Sequence, residues 1–284
     1  MTPALATTSG YADRTGWLPA LQAASATPAP VPLSVSTPEP AVGGLPRAGR
    51  VLAVTARPGP ESAELGALLY AYGQGGARLA LLSLTRGEAS PVNATRSRLE
   101  TVRPWELQLA SWLLGVSSVA VADYPDGGLR DYGMPQLTER VQRAIAEHAP
   151  DLILVLDPAT GNCDDAQVAR AVCLAAGPAG VPVAARTTPG ADGDWLVELG
   201  SLSDAARAVQ RSAVRAHASQ AEGLPEVLSG LDSHGSGEHL RWLRPDAVEA
   251  ALVIAPRFSV DECWPPSIQP EPVPDSPQFR ARSC

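Results

Sequence analysis

From residue 51 onward, short unbroken apolar runs alternate with longer stretches in which apolar residues return every three or four positions. The runs at 51–55, 77–84, 117–121 and 152–156 predict strands covered on both faces, since they are too short to complete an amphipathic helix. The stretches at 61–72, 96–114, 136–148 and 166–176 predict helices, the first two stopped at Gly73 and Gly115. Further on, 182–185, 195–199 and 250–255 read as strands and 205–220 as a helix. Strand and helix in alternation imply right-handed crossovers and a mostly parallel sheet with helices on both faces. The predicted fold is therefore a Rossmann-like three-layer α/β sandwich. In such a sheet the ligand cleft lies outside the carboxyl ends of the strands. The loops after Thr55, Leu84, Val121 and Leu156 are thus where chemistry is expected.

The flanks break this pattern. Residues 1–46 are rich in Ala, Thr, Pro and Ser and read as an extended arm, which Trp17, Leu18 and Leu21 could anchor to the body or to a second subunit. Residues 261–284 repeat Pro and read as a tail, leaving 47–260 as the folded domain. With 45% apolar residues a sizeable core is available, while a net charge of −8 argues against nucleic acid or an anionic membrane surface as the main partner. All 22 cationic residues are Arg, so mechanisms that need a Lys nucleophile are excluded. The four Cys, at 163, 173, 263 and 284, have no CxxC spacing and form neither a disulfide framework nor a structural zinc motif. No apolar run reaches the roughly 18 residues of a membrane helix, and no signal peptide is evident, so a cytoplasmic setting is expected.

The strand-end loops carry a distinctive set of residues. After the first strand stands Ala56-Arg57-Pro58-Gly59-Pro60-Glu61; after the second, Leu84-Thr85-Arg86-Gly87-Glu88. Arg103 and Glu106 follow on the next helix, then Asp126-Gly127, then Gly161-Asn162-Cys163-Asp164-Asp165, and last His217-Ala218-Ser219-Gln220. In this order and spacing the chain resembles the LmbE-like, or PIG-L, family of zinc-dependent deacetylases, over about residues 50–220. The resemblance implies the LmbE-like fold and, in active members, removal of an acetyl group or cleavage of a related amide from glucosaminyl compounds.

The same resemblance shows where the chain departs. The family's first loop, Ala-His-Pro-Asp-Asp-Glu, supplies two zinc ligands and the general base; those places hold Arg57, Pro60 and Gly59. The later loop, Gly-His-Pro-Asp-His, supplies the third ligand and an auxiliary His; those places hold Asp165 and Asn162. A catalytic zinc needs about three ligands with free lone pairs. Arg57 has none and Pro60 has no donor atom, so zinc, the family cofactor, is not expected here. The two zinc-binding His of facing loops must be neighbours, so their replacements, Arg57 and Asp165, are expected to form a salt bridge in the metal's place, with Asp164 able to share it.

Several residues admit two readings. Glu61, Asp164 and Asp165 would carry the chemistry of an unorthodox active site; with Cys163 they are also the candidates for a relocated metal, which Arg57 would repel. Cys163 reads as a small filler rather than a nucleophile. Arg103 either holds a ligand, as the resemblance implies, or is a surface charge beside Glu100 and Glu106. Asp126-Gly127 is either a tight turn or a pocket border. Glu61 suits the start of a helix, His217 the end of one, and Trp105 and Trp112, seven apart, suggest core packing. The expected protein is a non-catalytic or repurposed family member that binds a small anionic or glycosidic ligand, or a partner, through Arg57, Arg103, Asp126, Cys163, Asp164 and Asp165. The alternatives are an active deacetylase or amidase, in natural-product or thiol metabolism, and a homo-oligomer joined through the N-terminal arm.

Overall fold

The computed structural model describes residues 45–92, 98–160, 162–187, 196–199, 202–233 and 237–243. The expected arm and tail, and the strand expected at 250–255, lie outside them. Among the described residues, seven strands form one sheet: β1 Arg50–Thr55, β2 Arg78–Thr85, β3 Ser118–Tyr124, β4 Leu152–Leu156, β5 Val183–Thr187, β6 Leu196–Leu199 and β7 Glu238–Trp242. Their order is β3-β2-β1-β4-β5-β7-β6. The first five run parallel, whereas β7 lies antiparallel between β5 and β6.

The helices are α1 Pro60–Ala63, α2 Gly66–Gln74, α3 Leu99–Leu113, α4 Met134–His148, α5 Cys163–Ala179, α6 Asp204–Ala216 and α7 Leu224–Ser233. Alternate residues of each central strand serve different layers. Leu52 and Val54 join a core with Leu137 and Val141 of α4 and Val168 and Val172 of α5. Val51 and Ala53 join a second core with Leu68 of α2, Leu107 of α3 and Ala213 of α6. All of these are almost fully buried, as period-two alternation requires when both faces are covered.

The structure corrects the pattern reading in three places. The helix expected over 61–72 is broken into α1 and α2. Gln210 Nε2 of α6 donates to the carbonyls of Ser62 (3.3 Å) and Ala63 (2.8 Å), drawing them out of the helical ladder. Helix α7 and strand β7 were not expected, although Leu224, Val227, Leu228 and Leu231 have helical spacing and the burial of β7 alternates strictly. Trp105 and Trp112 are not core residues: each is 73% exposed on the outer face of α3. Seven-residue spacing places two side chains on one face but does not say which face meets the sheet.

Candidate functional site

Strand order reverses between β1 and β4, since β2 and β3 extend to one side and β5 to the other. The crevice at such a switch point is walled by the loops that follow β1 and β4. That rule expects it between residues 56–60 and the start of α5; the open cleft of this structure shares only the first of these walls.

Below this crevice sits a buried cluster. The Glu61 carboxylate accepts from Gly59 N (2.6 Å) and Ser62 Oγ (2.7 Å), and its Oε1 lies 2.7 Å from His217 Nε2. Glu61 and Ser62 are fully buried and His217 nearly so. Burial works against ionisation of Glu61, yet His217 and the surrounding donors hold its carboxyl below the usual value. Glu61 thus does more than face a helix dipole, α1 being a single turn. His217 closes α6, as its place at a helix end suggests, and its ring bonds the Glu61 carboxylate. Ser62, His217 and Glu61 do not form a nucleophile triad. Ser62 Oγ and Glu61 both address Nε2, whereas a triad needs acid and nucleophile on opposite ring nitrogens.

Above the cluster, Arg103 joins two loops. Its Nη1 donates to Gly87 O and its Nη2 to Pro58 O, and Nη1 stands 4.0 Å from Asp126 Oδ2. At 4% exposure it is no surface charge. Burial pulls its guanidinium pKa down, partly countered by Asp126. Gly87 lies at φ +75°, and a Cβ there would collide with the guanidinium, so only glycine lets the loop come this close. Asp126 accepts from Thr85 Oγ1 (3.3 Å) and Ala89 N (3.2 Å). Asp164 in turn accepts from Gly127 N (2.8 Å) and Leu129 N (3.1 Å). Asp126-Gly127 is thus a tight turn, with Gly127 at φ +78°, whose acid braces the loop after β2; neither residue lines the open cleft. Glu106 binds the backbone and hydroxyl of Ser219, tying α3 to the segment after α6.

Asn162 caps α5, its Oδ1 accepting from Asp164 N (3.0 Å) and Asp165 N (3.1 Å). Cys163 opens the helix, partly exposed. Asp165 points inward at 5% exposure, and its Oδ1 is buried without a hydrogen-bond partner. Burial raises its pKa to about 6; Arg57 opposes the shift through space, while Asp164, Glu64 and Asp126 add to it.

The expected salt bridge is not formed. Arg57 makes no ion pair within 4.0 Å of Asp164 or Asp165. Burying a guanidinium beside Asp165 would strip both groups of water. Arg57 instead lines an open cleft of about 280 Å³ with Pro58, Gly59, Pro60, Glu64 and Arg103. Val92, Val214, Gln220, Leu224 and Val227 also line it. Glu64 is engaged by Arg186 of β5 in an ion pair. The apolar wall from α7 escaped the sequence reading along with that helix.

A zinc ion does not fit the side chains at the family's ligand places, because only Asp165 there offers a lone pair. The relocated set fails as well: Glu61 is bound to His217, and Asp164 uses both oxygens on backbone N–H groups. Among the described residues, no three His, Cys, Asp or Glu side chains come together as metal ligands. No described helix is long and apolar enough to cross a membrane.

The family model described as GlcNAc-PI de-N-acetylase, PIG-L, matches residues 52–176. Over 130 residues, 43% of this chain, the sequence is 35% identical to a 1D-myo-inositol 2-acetamido-2-deoxy-α-D-glucopyranoside deacetylase of Kineococcus radiotolerans. The match spans 36% of that relative's length. The fold is similar to that of an N,N′-diacetylchitobiose deacetylase from Pyrococcus horikoshii, with TM-score 0.56 and 15% identity over 70% of this chain and 85% of the other. It is also similar to that of the A40926 pseudoaglycone deacetylase Dbv21, with TM-score 0.54 and 19% identity over 68% and 96%. At these identities the two structures speak for the fold alone.

Proposed function

Because the chain belongs, through residues 52–176, to the PIG-L or LmbE-like family, we propose that it keeps the family's cleft without the family's zinc chemistry and uses it to bind a small ligand. The observation that carries this reading is the side chain of Arg57. It occupies a zinc-ligand place, has no lone pair, and lines the cleft with no carboxylate in salt-bridge range. A cation so placed is a receptor for an anionic group. The apolar wall of Val92, Val214, Leu224 and Val227 suits the body of such a ligand. The Kineococcus relative is named for an acetamido glycoside, which favours a glycosidic body bearing an acid or phosphate.

Without zinc the attacking water keeps its high pKa, and Gly59 offers no base to take its proton. A second reading rests on Asp165. A carboxyl with its pKa raised to about 6 is poised as a general base, so metal-free hydrolysis would centre on it. Against that reading, Asp165 is only 5% exposed and is not among the residues that line the cleft.

Protein purified without chelator is expected to carry far less than one zinc per chain and to release no acetate from N-acetylglucosaminides. N-Acetylglucosamine 6-phosphate should bind more tightly than N-acetylglucosamine, and Arg57→Ala should remove most of that difference, about tenfold or more for one charge-assisted contact. About one tightly held zinc per chain, or acetate release abolished by Asp165→Ala, overturns the proposal.

A further inference from the structure

Helix α3 is apolar on two sides. Leu99, Leu107 and Ala110 are buried toward the sheet, yet Trp105, Leu109 and Trp112 form a stripe on the outer face, exposed by 73%, 52% and 73%. An exposed apolar stripe of this size on the outer face of a helix marks an interaction surface. We propose that this face is the core of a homodimer in which two copies of the chain pack their α3 helices antiparallel across a twofold axis.

Three features favour a second copy as the occupant. The stripe is nearly palindromic, with Trp105 four residues before Leu109 and Trp112 three after it. An antiparallel crossing centred near Leu109 therefore sets Trp105 of one copy against Trp112 of the other, which is the self-complementarity an isologous interface requires. The face is also uncharged: its exposed positions, 101, 105, 108, 109 and 112, are Thr, Trp, Gln, Leu and Trp. In a chain of net charge −8 this is where two like-charged copies can meet without repulsion, and it offers nothing to a partner recognised by charge. Finally, two tryptophans and a leucine at these exposures present roughly 400 Å², about half of what each side of a standard interface buries. That amount suits an interface core with Thr101, Gln108 and the neighbouring edge strand β3 as its rim.

The inference is independent of the ligand-binding reading and differs from an oligomer joined through the N-terminal arm. It is tested on the full chain by light scattering and sedimentation across about 1 to 100 µM. The expected species is a dimer of about 59 kDa, twice the 29.5 kDa chain. The double variant Trp105→Gln/Trp112→Gln should weaken association by about 100-fold, since buried tryptophans dominate such interfaces. Its thermal midpoint, read at concentrations where both proteins are monomeric, should not move. Leu109→Asp, which sets two acids face to face at the axis, should do the same. A full chain that stays monomeric throughout overturns the proposal. So does a double variant that still dimerises, or one whose monomer loses stability because the face was covered by a segment of its own chain.

Discussion

Arg103→Met should destabilise the domain by about 3–4 kcal/mol in urea unfolding at pH 7, a large part of the 5–15 kcal/mol typical of a domain. Methionine can fill the stem's space but offers no donor. The carbonyls of Pro58 and Gly87 would then lose their shared partner, and Asp126 would lose the cation that faces it. Each orphaned buried acceptor costs on the order of 1–3 kcal/mol, and an uncompensated buried carboxylate costs more. Arg103→Lys should recover little, because one ammonium cannot span two carbonyls as a planar guanidinium does. A loss below about 1 kcal/mol in the Met variant would show that the loops hold their positions without this brace, contrary to the geometry.

Asp165→Asn should have the opposite sign and stabilise the domain by about 3 kcal/mol at pH 7, near 1.4 kcal/mol for each of roughly two pKa units. The carboxyl is pushed up to about 6 in the fold, chiefly by burial, from an ordinary 3.8. Between these values the folded state binds more protons than the unfolded state, so stability falls as pH rises through this window. Below about pH 4 the acid is neutral in both states and the penalty is absent; above 6 it is present in full. The gain from Asn should therefore be large at pH 7 and vanish near pH 4. A gain independent of pH, or a loss at pH 7, would mean that the Asp165 carboxylate has a compensating partner, with Arg57 first in line. The two variants test opposite aspects of one site, a buried charge held by two carbonyls and a facing acid in Arg103 and one without a hydrogen-bond partner on Oδ1 in Asp165.

The parallel core was legible because strands covered on both faces leave unbroken apolar runs, such as Leu152–Leu156, which stands where its pattern placed it. The site loops were legible for a related reason. They must follow strand ends, and their residue types carry chemistry that framework residues do not. Arg57 and Asp165 were rightly placed on facing loops, but their pairing was not. Whether two opposite charges meet depends on the water each would give up, and the spacing of letters holds no record of that.

Arg103 and the outer face of α3 show the remaining gap. Along the helix Arg103 resembles any charge beside Glu100 and Glu106, and Trp105 and Trp112 resemble any apolar pair seven apart. Tertiary packing sent the arginine inward to two backbone carbonyls and left the tryptophans outside. The sequence by itself determined the alternation of elements, the strand ends that carry the loops, and residues without a free lone pair, Arg57 and Pro60, at two places where the resemblance expects zinc ligands. Only the tertiary structure decided which side chains are buried, which charges are answered and which surface is left uncovered. Periodicity assigns residues to faces, whereas burial and pairing depend on neighbours distant in the chain.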